Sequence, residues 1–434
     1  MGAAPDVQWG TVDSNPSPGI ASGTPAFRRL HIALFFIGVA TFAQLYSPQG
    51  LLPLIADDQG VTADRAALMI SAATLGLALG VIPWSYIGDA VGRRPAMVFG
   101  VGLACVFAVL SLVMPSFPLA LVMRFLEGAM LGGVPALAVA YLSEEVRPGQ
   151  VSVAAGTYIS GTSIGGLTGR IVAAPIGEQL GWRTGMLVVT GIAVACILVF
   201  AVTAPPARNF TPRRSGLWEA AGQLLGNMRS PALWVIYLQA FLTMGGFVAM
   251  YNFLGFHLTE PPYLLPLWAT SFIFLAYLAG TLSSPRAGVL ASRYGRRPVL
   301  IGGNVMMMGG VALTLVPNLW VVIVGMVVLT AGFFAAHAVA AGWAGSSAVA
   351  GRSQSTSLYN LGYYAGSSVF GFLGGTFLAV AGWAGTAGMV VALIAVATLL
   401  VVAVLPRFDA GPPPWRRAGA QAPSALRSSA RSSR

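Results

Sequence analysis

Twelve long apolar runs, separated by shorter polar segments, make up most of the chain. Each run is about 18–27 residues long, which is enough for an α-helix to cross about 30 Å of hydrocarbon. Their limits are residues 30–54, 66–88, 95–114, 117–142, 150–177, 183–204, 231–256, 265–291, 297–316, 319–344, 353–378 and 383–405. The pattern therefore predicts an all-α integral membrane protein with twelve transmembrane helices, which we number spans 1–12.

The turns between these runs occur twice along the sequence. Gly-Arg-Arg-Pro at 92–95, between spans 2 and 3, returns 203 positions later at 295–298, between spans 8 and 9. Gly-Trp at 181–182 returns 201 positions later at 382–383. Repeats at a nearly constant distance indicate that the chain is built from two pseudo-symmetric halves of six helices each.

The remaining segments are more polar and divide the chain. Residues 1–29 and 406–434 are rich in Gly, Pro, Ala and Ser, which predicts disordered tails beside the six-helix halves 30–204 and 231–405. Residues 205–230 form the predicted linker between the halves. Apolar residues share one face of a helix in this linker: Leu217, Ala221, Leu224, Leu225 and Met228. We expect a short amphipathic helix there, on the membrane surface.

Composition and charge agree with a membrane protein. Hydrophobic residues make up 56% of the chain and charged residues only 9%, whereas soluble domains carry about 25% charged residues. If both termini lie on one side, then 19 of the 24 arginines lie on that side too. Arginine-rich loops face the cytoplasm, so we expect a cell-membrane protein with both termini cytoplasmic. Its net charge of +11 would then face lipid headgroups, and nucleic acid is not expected as a partner.

With these residues in view, the chain resembles the major facilitator superfamily over residues 30–405. The family motif after span 2 runs Gly-x-x-x-Asp-Arg-x-Gly-Arg-Arg/Lys. The first copy departs from it at Ser85 and Ala90, and the second has Ser292 in place of the acid. The resemblance implies two six-helix bundles around a central cavity, which carry a small molecule across the membrane by alternating access.

In that family the motif acts as a cytoplasmic latch. The residues that match it here are Asp89, Gly92, Arg93 and Arg94 in the first half, and Arg293, Gly295, Arg296 and Arg297 in the second. A carboxylate and guanidinium groups on one loop can form charge-assisted bonds that hold one conformation and break in the other. Alternatively, Arg93 and Arg94 only determine topology.

A second resemblance concerns Arg124-x-x-Glu127-Gly128 in span 4, which is similar to a signature of proton-linked members. Residues three apart share a helix face, and a charge inside a span costs about 2.5–3.5 kcal/mol on insertion scales. We therefore predict that Arg124 and Glu127 couple transport to protons. A purely structural ion pair is the alternative. In the second half these positions are Val327 and Thr330.

Spans 1, 4, 7 and 10 line the cavity in this family, and polar or aromatic residues in these spans and in spans 5 and 11 are candidates for binding substrate. They are Gln44, Tyr46, Arg170, Tyr251, Asn252, His337, Tyr359 and Tyr363. Arg170 either attracts an anionic group of the substrate or extends to the membrane surface. His337 either faces the cavity or is a packing residue.

The expected function is that of a secondary transporter. Gly161, Gly165, Gly166 and Gly169 resemble the antiporter glycine motif without its Gly-Pro pair, and other segments look like the bacterial drug-exporter branch. We expect a monomer that exports a small amphipathic or drug-like solute in exchange for protons. The alternative is uptake or exchange of a small organic anion, suggested by Arg124, Arg170 and Arg286 inside spans. No metal-ligand, phosphate-loop or nucleophile pattern occurs, so we expect neither cofactor nor metal, and no enzyme.

Overall fold

The computed structural model describes residues 19–147, 150–210, 217–349 and 351–405, and these are helical almost throughout. Nine of the described helices are long and apolar enough to cross a membrane. Two more long helices, Val151–Leu180 and Arg296–Leu313, lie among them, and the helix Arg352–Val404 is interrupted at Ala381 and Gly382. When the two parts of that helix are counted separately, the described residues form twelve long helical segments, as predicted.

The helix bounds lie within five residues of the predicted limits. Spans 1–6 are Pro25–Gln59, Ala63–Val91, Arg93–Val113, Phe117–Glu145, Val151–Leu180 and Trp182–Thr203. Spans 7–10 are Pro231–Thr259, Leu267–Tyr294, Arg296–Leu313 and Leu319–Ser346, and spans 11 and 12 are the two parts of Arg352–Val404. Spans 1 and 8 are each interrupted by a short 3-10 helix, Gln49–Leu51 and Phe272–Tyr277.

The turns that repeat in the sequence also repeat in backbone conformation. Gly92 and Gly295 have φ angles of 96° and 93°, and Gly181 and Gly382 have 86° and 61°. These values lie in the left-handed region, which glycine adopts without the steric penalty of a side chain. The same residue type therefore makes the same tight turn at equivalent points of both halves.

The helix packing within each half repeats as well. In the first half, a Cβ on Gly161 or Gly165 of span 5 would overlap the carbonyl oxygens of Phe35 and Val39 in span 1. In the second half, Gly366 of span 11 approaches span 7 in the same way, at the carbonyl of Phe241. The glycines of span 5 therefore allow two helices to pack closely. Because the second half uses the same device, the stripe by itself does not indicate antiport.

The segment before span 1 is more ordered than predicted. Its helix begins at Pro25, capped by Thr24, whose Oγ1 accepts a hydrogen bond from the Phe27 N–H at 3.2 Å. Upstream, the Ile20 N–H donates to the Glu145 carbonyl at 2.7 Å, at the end of span 4. Residues 19–29, expected to belong to a disordered tail, are thus held by backbone bonds, while residues 1–18 and 406–434 lie outside the described residues.

The linker contains the helix Leu217–Met228. Its Asn227 side chain is buried against the second half, where Oδ1 accepts a hydrogen bond from the Val349 N–H at 2.9 Å. Leu225 and Met228 are exposed. The polar side of this helix therefore contacts the protein and part of its apolar side is free, as on a membrane surface.

Candidate functional site

Hydrogen bonds join the two halves near the middle of the spans. Gln49 Nε2 of span 1 donates to Asn252 Oδ1 of span 7 at 2.6 Å, and both side chains are buried. The hydroxyl groups of Thr74 in span 2 and Ser368 in span 11 are hydrogen-bonded at 2.8 Å. Gln49 and Asn252 are 203 positions apart, like the repeated turns, so equivalent residues of the two halves bond to each other.

A further connection lies on the face opposite the arginine-rich turns, which we call the arginine-poor face. The Glu178 carboxylate near the end of span 5 accepts hydrogen bonds from the N–H groups of Leu267 and Trp268 at 3.0 and 2.9 Å. These N–H groups begin the first helix of span 8 and have no partner inside it. The halves are therefore joined from mid-span to the arginine-poor face.

Towards the arginine-rich face the same helices separate. Ser368 Oγ donates to the Ser71 carbonyl at 3.0 Å, so these faces of spans 2 and 11 are in contact. Ile82 lies eleven residues after Ser71, about three turns further along the same face, and is 53% exposed. Leu361, seven residues before Ser368 and on the same face, is 41% exposed. The interface between the halves thus opens towards the arginine-rich face.

Arg124 and Glu127 form a fully buried ion pair inside the first half. Arg124 Nη1 donates to Glu127 Oε2 at 2.6 Å. The guanidinium also bonds to backbone, since Nε donates to the Met69 carbonyl at 3.0 Å and Nη2 to the Leu45 carbonyl at 2.9 Å. Glu127 Oε1 is buried and has no hydrogen-bond partner among the described residues.

A break in span 1 explains why a cation lies here. Its first helix ends at Tyr46, because Pro48 has no N–H to continue it, and the Gln44 carbonyl accepts a hydrogen bond from the Ser47 N–H at 3.3 Å instead. The next carbonyl, that of Leu45, accepts from Arg124 Nη2, and a guanidinium at a helix C-terminus compensates the partial negative charge of the last carbonyls. Span 7 has no proline after its first residue, and there the Tyr251 hydroxyl bonds to Thr330, the counterpart of Glu127, at 2.6 Å. The half in which the helix is broken contains the charged pair, whereas the half with the continuous span 7 has two neutral hydroxyl groups at the equivalent place.

Arg170 of span 5 is buried where the halves meet. Its Nε donates to Gln49 Oε1 at 2.6 Å, its Nη1 to the Gly166 carbonyl at 2.6 Å and its Nη2 to the Tyr277 hydroxyl at 3.2 Å. Three aromatic rings surround the guanidinium carbon, with centroids at 4.2, 5.1 and 4.6 Å: Tyr46, Phe274 and Tyr277. Arg170 therefore does not extend to the membrane surface.

Aromatic side chains continue from Arg170 through the second half. Tyr251 stacks on Phe274 at 5.2 Å between centroids, and Phe333 stacks on His337 at 5.7 Å. The Tyr359 hydroxyl and His337 Nδ1 are hydrogen-bonded at 2.9 Å. Half-buried members of this aromatic cluster are Tyr277, Phe334, His337 and Tyr363. Spans 7, 8, 10 and 11 thus bring together four of the candidate residues, Tyr251, His337, Tyr359 and Tyr363.

Other candidates lie elsewhere. Gln44 is buried within the first half, where its Oε1 accepts a hydrogen bond from Thr190 of span 6 at 3.2 Å. Asn252 joins the halves, as described above. The candidates predicted from the sequence do not include Gln49, Phe274 or Tyr277, which contact Arg170 or Asn252. The distance of 203 between Gln49 and Asn252 was a usable signal for Gln49, whereas nothing in the sequence indicates the face on which Phe274 or Tyr277 lies.

The residues predicted to form the latch in the first half bind within that half. Arg93 forms ion pairs with Asp89 at 2.5 Å and with Glu144 of span 4 at 2.9 Å. Arg94 Nη2 donates to the Ala201 carbonyl of span 6 at 2.6 Å. Gly92 makes the turn that places both arginines.

The second copy repeats part of this arrangement. Arg297 Nη2 donates to the Val402 carbonyl at 2.5 Å, the equivalent of the Arg94 contact, and Gly295 makes the turn. Arg296 Nη1 donates to Ser346 Oγ at 2.7 Å, where the first half has a carboxylate nearby. Arg293 lies over the Tyr294 ring at 5.3 Å. Ser346 thus stands opposite Arg296 where the ion pairs of Arg93 are formed in the first half.

Comparison with known proteins identifies the family. A sequence model described as Major Facilitator Superfamily matches residues 34–283 and 265–434. The chain belongs to the Major Facilitator Superfamily. The inner membrane transport protein YnfM of Escherichia coli K12 is 39% identical over 388 residues, which cover 89% of this chain and 93% of YnfM. The uncharacterized MFS-type transporter YybF of Bacillus subtilis 168 is 37% identical over 381 residues, which cover 88% and 94%. The predicted family is confirmed, and the chain is a multi-pass membrane transporter.

Solved structures agree on the fold. A mutant of the nucleoside transporter NupG superposes with a TM-score of 0.73 at 12% identity, over 87% of this chain and 100% of that one. A bacterial homolog of the human lysosomal transporter Spinster, solved inward-facing and unoccupied, gives 0.68 at 15% identity, over 87% and 95%. At these identities the likeness shows the fold alone. In the described part of the chain, no three His, Cys, Asp or Glu side chains lie together as a metal site would require.

Proposed function

We propose that this transporter exports a small amphipathic or drug-like solute from the cytoplasm in exchange for protons. The distribution of arginines supports a cytoplasmic position for the arginine-rich face. The halves diverge towards that face and are joined on the other, so the conformation would be open to the cytoplasm. Alternating access would then break the bonds of Gln49 and Thr74 across the interface and close the arginine-rich side.

Glu127 is the proposed proton carrier, and its environment is the observation that carries the proton part of the proposal. One carboxylate oxygen binds Arg124, while the other is buried without a partner. A proton on Oε1 would remove the negative charge and weaken the attraction to Arg124. Because Arg124 also holds the last carbonyls of the first helix in span 1, protonation would loosen the joint at Pro48, beside the residue that bonds to the second half.

The latch residues are proposed to act on the opposite face. In the conformation described, Arg93 is held by Asp89 and Glu144 inside the first half. When the arginine-rich face closes, the turn at Gly92 would approach the second half, and these charges would be available to bind it. Asp89 has a serine as counterpart, Ser292, so the proposed latch depends on the first copy of the motif. We further propose that a single chain, surrounded by lipid, performs the cycle.

The test is transport in proteoliposomes with an imposed pH gradient and a panel of labelled solutes. We expect the wild type to move at least one amphipathic solute against its gradient, with accompanying proton flux. Glu127→Gln should abolish accumulation driven by the pH gradient and retain exchange of solute for solute. Glu260→Gln, which neutralises an exposed carboxylate after span 7, is the matched control and should behave like the wild type. Gradient-driven accumulation in Glu127→Gln would overturn the proton role.

The alternative, uptake or exchange of a small organic anion, rested on three arginines inside spans. Arg124 is neutralised by Glu127, and Arg286 is exposed and donates to the Leu282 carbonyl at 2.9 Å. The case for an anionic substrate therefore depends on Arg170.

A further inference from the structure

Arg170 differs from Arg124, the other fully buried arginine of the spans, in the partners of its charge. Arg124 has Glu127 as a counter-ion, whereas the described residues form no ion pair with Arg170. Its partners are an amide oxygen, a backbone carbonyl and a hydroxyl group. A buried charge is costly unless it is paired, and the three aromatic rings around it compensate for only part of that cost. Ionisable residues inside the membrane mark functional sites, and substrate pathways are one kind of these.

The hydrogen bonds of Arg170 leave part of the guanidinium unused. A guanidinium has five N–H groups, and three of them have acceptors in the described structure. One N–H on each terminal nitrogen has none, and the bond to the Tyr277 hydroxyl is the longest of the three, at 3.2 Å. Nη1 and Nη2 can together give a carboxylate a bidentate contact if the weak bond to the Tyr277 hydroxyl is released.

The position of Arg170 links such a contact to the transport cycle. Gln49 accepts from Arg170 through Oε1 and donates to Asn252 through Nε2, so Arg170 lies one residue away from the bond between the halves. The equivalent position of the second half, 201 residues later, is Gly371, and Asn252 Nδ2 donates to its carbonyl at 3.2 Å. Equivalent positions of spans 1 and 5 and of spans 7 and 11 are thus in contact in both halves. Only the first half has a charged side chain, Arg170, in this contact.

We propose that Arg170 binds the anionic group of the substrate, and that the transported solute is a small monoanion with an aromatic or otherwise apolar body. This inference rests on the transport function proposed above and specifies its amphipathic substrate. The anion binds Nη1 and Nη2 together and takes the place of the Tyr277 hydroxyl on Nη2. The apolar body lies against the half-buried rings of Tyr277, Phe334 and Tyr363 on the open side of the interface.

Binding to purified protein in nanodiscs, without a pH gradient, tests the proposal. The probes are 3-phenylpropionate, benzoate and indole-3-acetate, each paired with its neutral amide, and affinity is measured by calorimetry. We expect each anion to bind more tightly than its amide. Arg170→Gln should weaken anion binding by about 10- to 100-fold, the range expected for loss of hydrogen bonds to a charged group, and leave amide binding within about 2-fold.

Three further variants separate this role from a structural one. Arg170→Lys keeps the charge without the fork and should retain anion preference at reduced affinity. Tyr277→Phe removes the competing hydroxyl and should leave anion affinity unchanged or raise it, even if Arg170→Gln does not fold. Arg286→Gln, an exposed arginine of span 8, is the control. Equal losses for anion and amide, anion binding abolished by Tyr277→Phe, or no binding of any of the three anions would overturn the inference.

These measurements distinguish failure of the anion site from failure of the proposed proton-coupled export. Proton-driven transport of neutral solutes with no binding of the anions would refute the anion site and leave proton-coupled export standing. Arg170-dependent anion binding without any proton flux would support the anion site and refute the coupling.

Discussion

Replacing Arg124 by methionine tests the structural interpretation of the buried pair. The variant would leave Glu127 as an uncompensated buried charge, and the carbonyls of Leu45 and Met69 without their side-chain donor. Removing one partner of a buried pair costs about 3–5 kcal/mol. In domains as large as one half of this chain, a loss of 1 kcal/mol lowers the unfolding temperature by roughly 2–4 °C. We therefore expect the unfolding temperature of the variant to be lower by roughly 6–20 °C.

The protein contains its own reporters for this measurement. Cys105 in span 3 and Cys196 in span 6 are free and buried, so a thiol-reactive fluorescent dye would report the unfolding of the first half. Arg286→Met, at an exposed arginine, serves as the control and should unfold within about 1 °C of the wild type, because it loses only a surface contact.

A double variant separates charge from backbone capping. In Arg124→Met with Glu127→Met no charge remains buried, so its unfolding temperature should lie between those of Arg124→Met and the wild type. The Leu45 carbonyl at the break of span 1 would still lack its side-chain donor, which prevents full recovery. An Arg124→Met protein as stable as the wild type, or a double variant no more stable than the single one, would refute the explanation.

Three other predictions concern the latch, the glycine stripe and the contact between the halves. Asp89→Asn removes one ion pair of Arg93 and leaves the pair with Glu144. We expect normal expression and a transport rate, measured as flux in proteoliposomes, that is reduced at least about 10-fold. An unchanged flux would contradict the latch. Gly165→Leu would force spans 1 and 5 apart at the Val39 carbonyl and lower the unfolding temperature by several degrees, whereas Gly191→Ala, where a Cβ meets nothing, should not. Asn252→Leu removes the bond to Gln49, worth about 0.5–1.5 kcal/mol, and should favour opening of the arginine-poor face by roughly 2- to 10-fold. Labelling of Ser71→Cys by a membrane-impermeant thiol reagent from that face measures this, and an unchanged labelling rate would show that the bond does not hold the interface.

Much of the fold could be predicted because its signals are local. An apolar run of membrane length forms a helix whatever it packs against, since no water is available to its backbone groups inside hydrocarbon. The turns at Gly92 and Gly295 are likewise local, because their positive φ angles favour glycine. The span limits, the repeat and the family therefore followed from the sequence. The start of span 1 was less well predicted, because the bonds that hold Ile20 come from the distant residue Glu145.

The site itself depends on which faces of the helices meet, and only the tertiary structure decides that. Gln44 and Gln49 are both polar residues beside the break in span 1, yet Gln44 bonds to span 6 and Gln49 bonds to the other half. Arg124 and Arg170 look alike as arginines inside spans, but one has a carboxylate beside it and the other has three aromatic rings. Hydrophobicity and length determine that a segment crosses the membrane, whereas its rotation about its own axis is determined by packing against helices far away in the sequence.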